Sequence, residues 1–272
     1  MMPYLMRKLY VFLKKGFLID VSYKMSFVMM LFNTLFQVFV FYFIGKIIGA
    51  SALPYLGSYG GDYFAFVLIG IAFTRYSRTT LNALPDLIRE EQMMGTLEAI
   101  LSTPTRVATI VLDSSVWDFV YATLEVLVCL MAGVFLFGFS FEGANFFGTV
   151  VIIVLTITSL IGLGLASAGL TLIIKKGKPI AQLFSMFSDV IAGVYFPLTV
   201  LPTSLQQVSA FIPLTYSLDA LRLLILRGYT LGQVMPQVVA LIAFSILLTP
   251  LGLLFVDYSL RKAKEDGSLM QY

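Results

Sequence analysis

Long apolar stretches separated by short charged ones dominate this chain. Uncharged runs cover Met25–Gly45, Phe146–Ile174 and Val234–Val256, and two more, Val116–Phe139 and Ile180–Leu201, are interrupted only by acids. About 20 mainly apolar residues cross a bilayer as a helix, so each run has the length of a span. A sixth run begins at Tyr63 but carries Arg75 and Arg78 soon after Thr74. Charge bias decides it. If 63–84 spans, all but three of the 18 Lys and Arg fall on one side, with Lys46, Arg222 and Arg227 on the other; without it the later loops change sides and the bias disappears. Such asymmetry is what the positive-inside rule expects of cytoplasmic loops. The pattern therefore predicts an all-α polytopic membrane protein, one domain over 1–272, with six transmembrane helices at 25–45, 63–84, 114–138, 146–174, 180–201 and 234–256. Both termini are then cytoplasmic.

The connections have patterns of their own. Within 1–24, Arg7, Lys8, Lys14 and Lys15 share one face of a 100° helical projection, and Leu5, Leu9, Phe12 and Leu13 share the opposite one. That is an amphipathic helix lying in the inner interface, the plainer alternative being a basic flank that sets topology. The apolar stretch Leu9–Leu13 is too short for a secretory signal. In the cytoplasmic connection 85–112, Gly95 stops the helix leaving the membrane, Thr96 can cap a new one with Glu98 in its first turn, and Pro104 ends it. A two-turn helix over 97–102 would carry Leu97, Ile100 and Leu101 on one face, suited either to headgroups or to a partner protein. On the external side, Pro197, Pro202 and Pro213 punctuate the chain between the fifth and sixth spans. Within 202–233 the stretch Leu214–Arg227 is apolar enough to dip back into the bilayer as a re-entrant helix packed on protein; a helix lying on the outer surface is the alternative.

Composition then narrows the chemistry. Apolar residues make up 59% of the 272 and charged ones 12%, where a soluble domain has about 25% charged. There is no His and a single Cys, Cys129. His-dependent nucleophilic sites, His-ligated zinc, iron–sulfur clusters and intrachain disulfides are thereby excluded, and no metal site or catalytic residue is assigned. A dispersed net charge of +3 gives no footprint for nucleic acid. Asp118, Glu125 and Asp189 lie within spans, where an ionised group needs a partner or water. Arg75 and Arg78 are candidates for Asp118 by depth; otherwise these charges line a substrate path, Glu125 favouring cationic amphiphiles. The small residues from Gly162 to Gly169 predict close helix packing. Gly45-Lys46 and Gly177-Lys178 lack the remainder of a phosphate-binding loop.

Glu90-Glu-Gln-Met-Met-Gly-Thr-Leu-Glu-Ala-Ile-Leu-Ser-Thr-Pro104 resembles the cytoplasmic motif of type-2 ABC transporter permeases. Gly193-Val-Tyr-Phe-Pro-Leu-Thr-Val-Leu-Pro202, followed by Phe211-Ile-Pro-Leu-Thr-Tyr-Ser-Leu-Asp-Ala-Leu-Arg222, resembles that family's second signature. The resemblance implies the permease subunit of an exporter in a prokaryotic plasma (inner) membrane, paired with a second copy, or a related chain, and with two separate ATPase subunits that hold ATP and Mg. It also implies that the 97–102 helix is a coupling helix docking on the ATPase, with Glu90, Glu91 and Glu98 at the same contact. The proline-punctuated helices, including Tyr216, would form a lid over the path. The Pro-Leu-Thr-Tyr form is closer to drug-resistance members than to polysaccharide exporters, so an amphipathic drug or lipid is the favoured cargo and polysaccharide the alternative. Proton-coupled secondary transport through Asp118, Glu125 and Asp189 competes, but no internal repeat supports it. An intramembrane enzyme finds neither nucleophile nor base.

Overall fold

The computed structural model describes residues 11–96 except 12 and 15, 107–174 and 177–265. Among them every regular element is helical. In chain order these are α1 (Lys24–Leu56), α2 (Tyr63–Met94), α3 (Val107–Phe137), α4 (Phe146–Ile174), α5 (Gly177–Ile191), α6 (Thr203–Ser209), α7 (Pro213–Leu226) and α8 (Met235–Glu265), with 3-10 turns at Gly57–Tyr59 and Leu198–Val200. Residues 16–22 are also helical. Four helices are long and apolar enough to cross a membrane, and six if the two bent pairs each count as one span.

The bundle is organised on α2 and α4. α2 packs on α1, α3, α4, α5 and α7, and α4 carries the most extensive contact in the molecule, against α8. The glycines of α4 explain how. A Cβ at Gly162 would run into the Leu248 carbonyl of α8, one at Gly252 of α8 would strike the Gly162 carbonyl, and one at Gly164 would strike the Thr80 carbonyl of α2. Small residues thus let α4 approach two helices with backbone against backbone, as expected for the Gly162–Gly169 stretch. Gly162→Val is expected to lower stability by about 1–3 kcal/mol through overpacking, seen as a reduced melting temperature in detergent, whereas Gly49→Ala, at a position open to space, should leave it unchanged.

Two expected boundaries move. α2 does not stop near residue 84 but runs through Pro85 to Met94, 32 residues or about 48 Å, well beyond a ~30 Å hydrocarbon core. Asp62 starts it by accepting from the Phe64 amide at 2.9 Å. The predicted span 180–201 is instead a helix of 15 residues ending at Ile191, about 22 Å long. Its stop is a Schellman turn: Val194 N–H donates to the Asp189 carbonyl at 3.1 Å and Gly193 N–H to Val190 at 3.3 Å, with Gly193 at φ +76°. Each proline then opens an element rather than closing one. Pro197 precedes the Leu198–Val200 turn, Pro202 precedes α6, and Pro213 occupies the first turn of α7. α6 and α7 meet at 90°.

Candidate functional site

α2 carries two ion pairs in the middle of the bundle. Arg75 faces Glu125 of α3 at 3.5 Å and donates to Gln37 Oε1 of α1 at 3.0 Å. One turn further on, Arg78 donates through Nη2 and Nε to the same oxygen of Asp189 on α5, at 2.6 and 3.1 Å. A single helix is thus tied to α1, α3 and α5 by two guanidiniums at i and i+3, which share a face. Two of the three carboxylates expected in the spans are therefore engaged by arginine.

The third is placed differently. Asp118 is not the partner of Arg75 or Arg78; its charged neighbours are Asp86, Asp20 and Glu90. The reason is axial. α2 and α3 run antiparallel, and the seven residues from Asp118 to Glu125 advance about 10 Å along α3, which puts Glu125 level with Arg75 and Asp118 level with the later turns of α2. Asp20, in the helical segment 16–22, accepts from Trp117 Nε1 at 2.7 Å, and Phe17 meets the same indole edge-on. The N-terminal segment is thereby fastened to α3. Phe17, Leu18, Ile19 and Val21 remain exposed on it.

At its far end α2 finishes in a second Schellman turn. Thr96 N–H donates to the Glu91 carbonyl at 3.0 Å, Gly95 N–H to Gln92 at 3.1 Å, and Gly95 sits at φ +69°. The Thr96 hydroxyl folds back onto the Glu91 carboxylate. Glu90, Met93 and Met94 are exposed. Leu97, Glu98, Ile100, Leu101 and Pro104 lie outside the described residues.

At the opposite end sits a polar network that the hydrophobic pattern gave no reason to single out. Arg222 of α7 is 3% exposed. Its Nε donates to the Phe66 carbonyl of α2 at 3.1 Å and its Nη2 to the Val194 carbonyl beyond α5 at 3.0 Å, while the guanidinium lies 3.4 Å from the Phe66 ring centre. Gly70 provides the space, because a Cβ there would meet both the Val194 carbonyl and Arg222 Nη2. Three residues earlier, Asp219 accepts from the Tyr59 hydroxyl at 2.6 Å and from Gln237 Nε2 of α8 at 2.7 Å. Arg227 donates to the Ser58 carbonyl at 3.2 Å and also to that of Gly57. Asn145 closes the arrangement: it caps α4 by accepting from Gly148 N–H at 2.9 Å, and its backbone and side chain donate to the Leu224 and Tyr229 carbonyls, both at 3.0 Å. α7 is therefore pinned to α2, α4, α8 and the turns after α1 and α5. Tyr216, expected at a lid, donates to the Ala210 carbonyl at 3.1 Å and packs against Phe244. Together with Thr215, which donates to Ser209 at 2.8 Å, it fixes the bend between α6 and α7. The spacing Asp219-x-x-Arg222 on an otherwise apolar helix was the available signal, since opposite charges there need buried partners.

Among the described residues the arginines of α2 and α7 are thus held helix to helix, by Glu125, Asp189 and the Phe66 and Val194 carbonyls. Residues 7–226 match the model of the ABC-2 type transporter family, and the chain belongs to that family. It is also similar to Nodulation protein J of Rhizobium meliloti (strain 1021), with 27% identity over 196 residues, covering 69% of this chain and 71% of that protein. The family's membrane component is an integral membrane permease that lacks an ATPase site and works with a separate ATP-binding subunit.

Proposed function

We propose that the chain is the permease half of an ATP-driven exporter for amphipathic molecules, working as a dimer with two ATPase subunits in a prokaryotic plasma membrane. The observation that supports this most is α2, one uninterrupted helix that joins the Arg222 network, the two ion pairs and the Glu91–Thr96 turn. A rigid rod of that length transmits a push at one end to the packing at the other. With both termini cytoplasmic, the Met94 end meets the ATPase, and the segment over 97–102 is the coupling helix with Glu90 and Glu91 beside it. The other end is external, where α5 is completed as a fifth crossing by a re-entrant α6–α7 lid, punctuated by Pro197, Pro202 and Pro213. The described helical segment 16–22, fastened to α3 through Asp20 and Trp117, lies at the inner surface. ATP and Mg belong to the ATPase subunit.

The test is affinity purification of the tagged chain with its co-expressed ATP-binding subunit in mild detergent. The subunit is expected in stoichiometric amount with ATPase activity, and Leu97→Asp should reduce its recovery at least tenfold while the permease itself purifies normally. A chain that purifies alone and moves substrate on a proton gradient overturns the reading.

A further inference from the structure

The helical segment 16–22 is joined to α1 by a break rather than by continuous helix. Tyr23 stands at φ −101° and ψ 60°, outside the helical region, and its N–H is shared between the Ile19 and Asp20 carbonyls, both at 3.2 Å. One side chain of another helix holds the segment in place. The Gly16 backbone lies so close to Trp117 of α3 that a Cβ there would overlap the indole, Phe17 meets the ring edge-on with centroids 6.0 Å apart, and Asp20 accepts the indole N–H at 2.7 Å. Residues 16 and 20 are one helical turn apart, so the segment grips the indole along a single face. Leu18, Ile19 and Val21 are exposed, and the hold is one-sided.

It is also electrostatically opposed. Trp117 is followed by Asp118, and the charges that bear on Asp118 are those of Asp20, Asp86 and Glu90, all negative. Docking brings the Asp20 carboxylate into that group against like-charge repulsion, which the indole hydrogen bond and the ring contact offset. The other two carboxylates belong to α2. Asp86 and Glu90 stand one turn apart in its last turns before Gly95, and Glu90 is exposed. The position of those turns, and the charge of whatever covers Glu90, therefore enter the energy of docking.

We propose that residues 16–22 are a strap whose grip on Trp117 is set by the carboxylates of α2 and α3: like charge holds the strap close to release, and a cationic surface placed over Glu90 tightens it. By reciprocity the docked strap strengthens the binding of that surface. The inference rests on the exporter reading, in which the surface over Glu90 belongs to the ATP-binding subunit, and it makes the N-terminal segment responsive to whether that subunit is engaged.

Trp117 is the one tryptophan of the chain, so nitrogen-15 tryptophan labelling gives a single indole N–H resonance, whose exchange with solvent deuterium counts openings of the strap. The full chain is measured in nanodiscs. The indole is expected to be protected in the wild type and to exchange at least tenfold faster in Asp20→Ala, which removes its acceptor. Asp118→Asn should slow exchange about threefold and Glu90→Gln about twofold, because each lowers the repulsion on Asp20. Binding of the unlabelled ATP-binding subunit should slow it further. A static contact would answer to Asp20→Ala alone. An unprotected wild-type indole, or unchanged exchange in both Asp118→Asn and Glu90→Gln with normal melting curves, overturns the strap, and unchanged exchange on stoichiometric binding of the subunit overturns its coupling to the partner. Where no subunit binds, it is the exporter reading that fails, and the charge variants of the chain alone still decide this one.

Discussion

Arg222→Met is expected to release α7 from the bundle and abolish transport. The substitution keeps volume but removes two hydrogen bonds from a charged donor, each worth about 1.5–3 kcal/mol, and strands the Val194 carbonyl beside Gly70. A loss of about 3 kcal/mol or more follows, a large share of the stability of any domain. The α6–α7 region should become accessible to protease while α4 and α8, joined by their own glycines, stay protected. Arg222→Lys should fall between, since an ammonium keeps the charge without the planar fork that reaches both carbonyls at once. Melting within about a degree of wild type, with transport intact, would refute the pin.

Glu125→Leu carries the next largest effect. It leaves the Arg75 guanidinium among helices with Gln37 as its remaining hydrogen-bond partner; the pair is half-buried, so the loss falls below the about 3–5 kcal/mol that breaking a fully buried pair costs. Arg75→Leu/Glu125→Leu should recover most of that loss, because two apolar side chains replace a satisfied pair. A double-mutant cycle read by thermal unfolding checks this, and strictly additive losses would mean that the two charges do not act as a pair.

Much of this was legible in the residues. Apolar runs located α1, α3, α4 and α8, and the small residues around Gly162 foretold where α4 would touch its neighbours. The residues 63–84 expected as a helix are one, although Pro85 did not end it: a proline is tolerated where packing on both flanks holds the helix, and Pro85 is itself buried. Asp118 was matched to the wrong helix turn because depth estimated from sequence is coarser than the 10 Å that separates it from Glu125. α5 stopped early because Gly193 accepts the left-handed conformation at the end of an apolar run, a signal that hydropathy averages away. The Asp219-x-x-Arg222 spacing marked a need for buried partners, but the partners of Arg222 could not be read from it. They are main-chain carbonyls, and a carbonyl left free by a turn has no letter in the sequence.

The arginines of α2 also bear on how the chain is made. α2 does not qualify as a span by itself, whereas α1, α3, α4 and α8 do. Insertion of a lone helix with arginine near its centre is unfavourable by about 2.5–3.5 kcal/mol per residue, and α2 has two. Glu125 arrives with the next helix, but Asp189 is synthesised 111 residues after Arg78. Until then Arg78 lacks its carboxylate, so the nascent α2 stays in a protein-lined or wet environment while a further 111 residues are made.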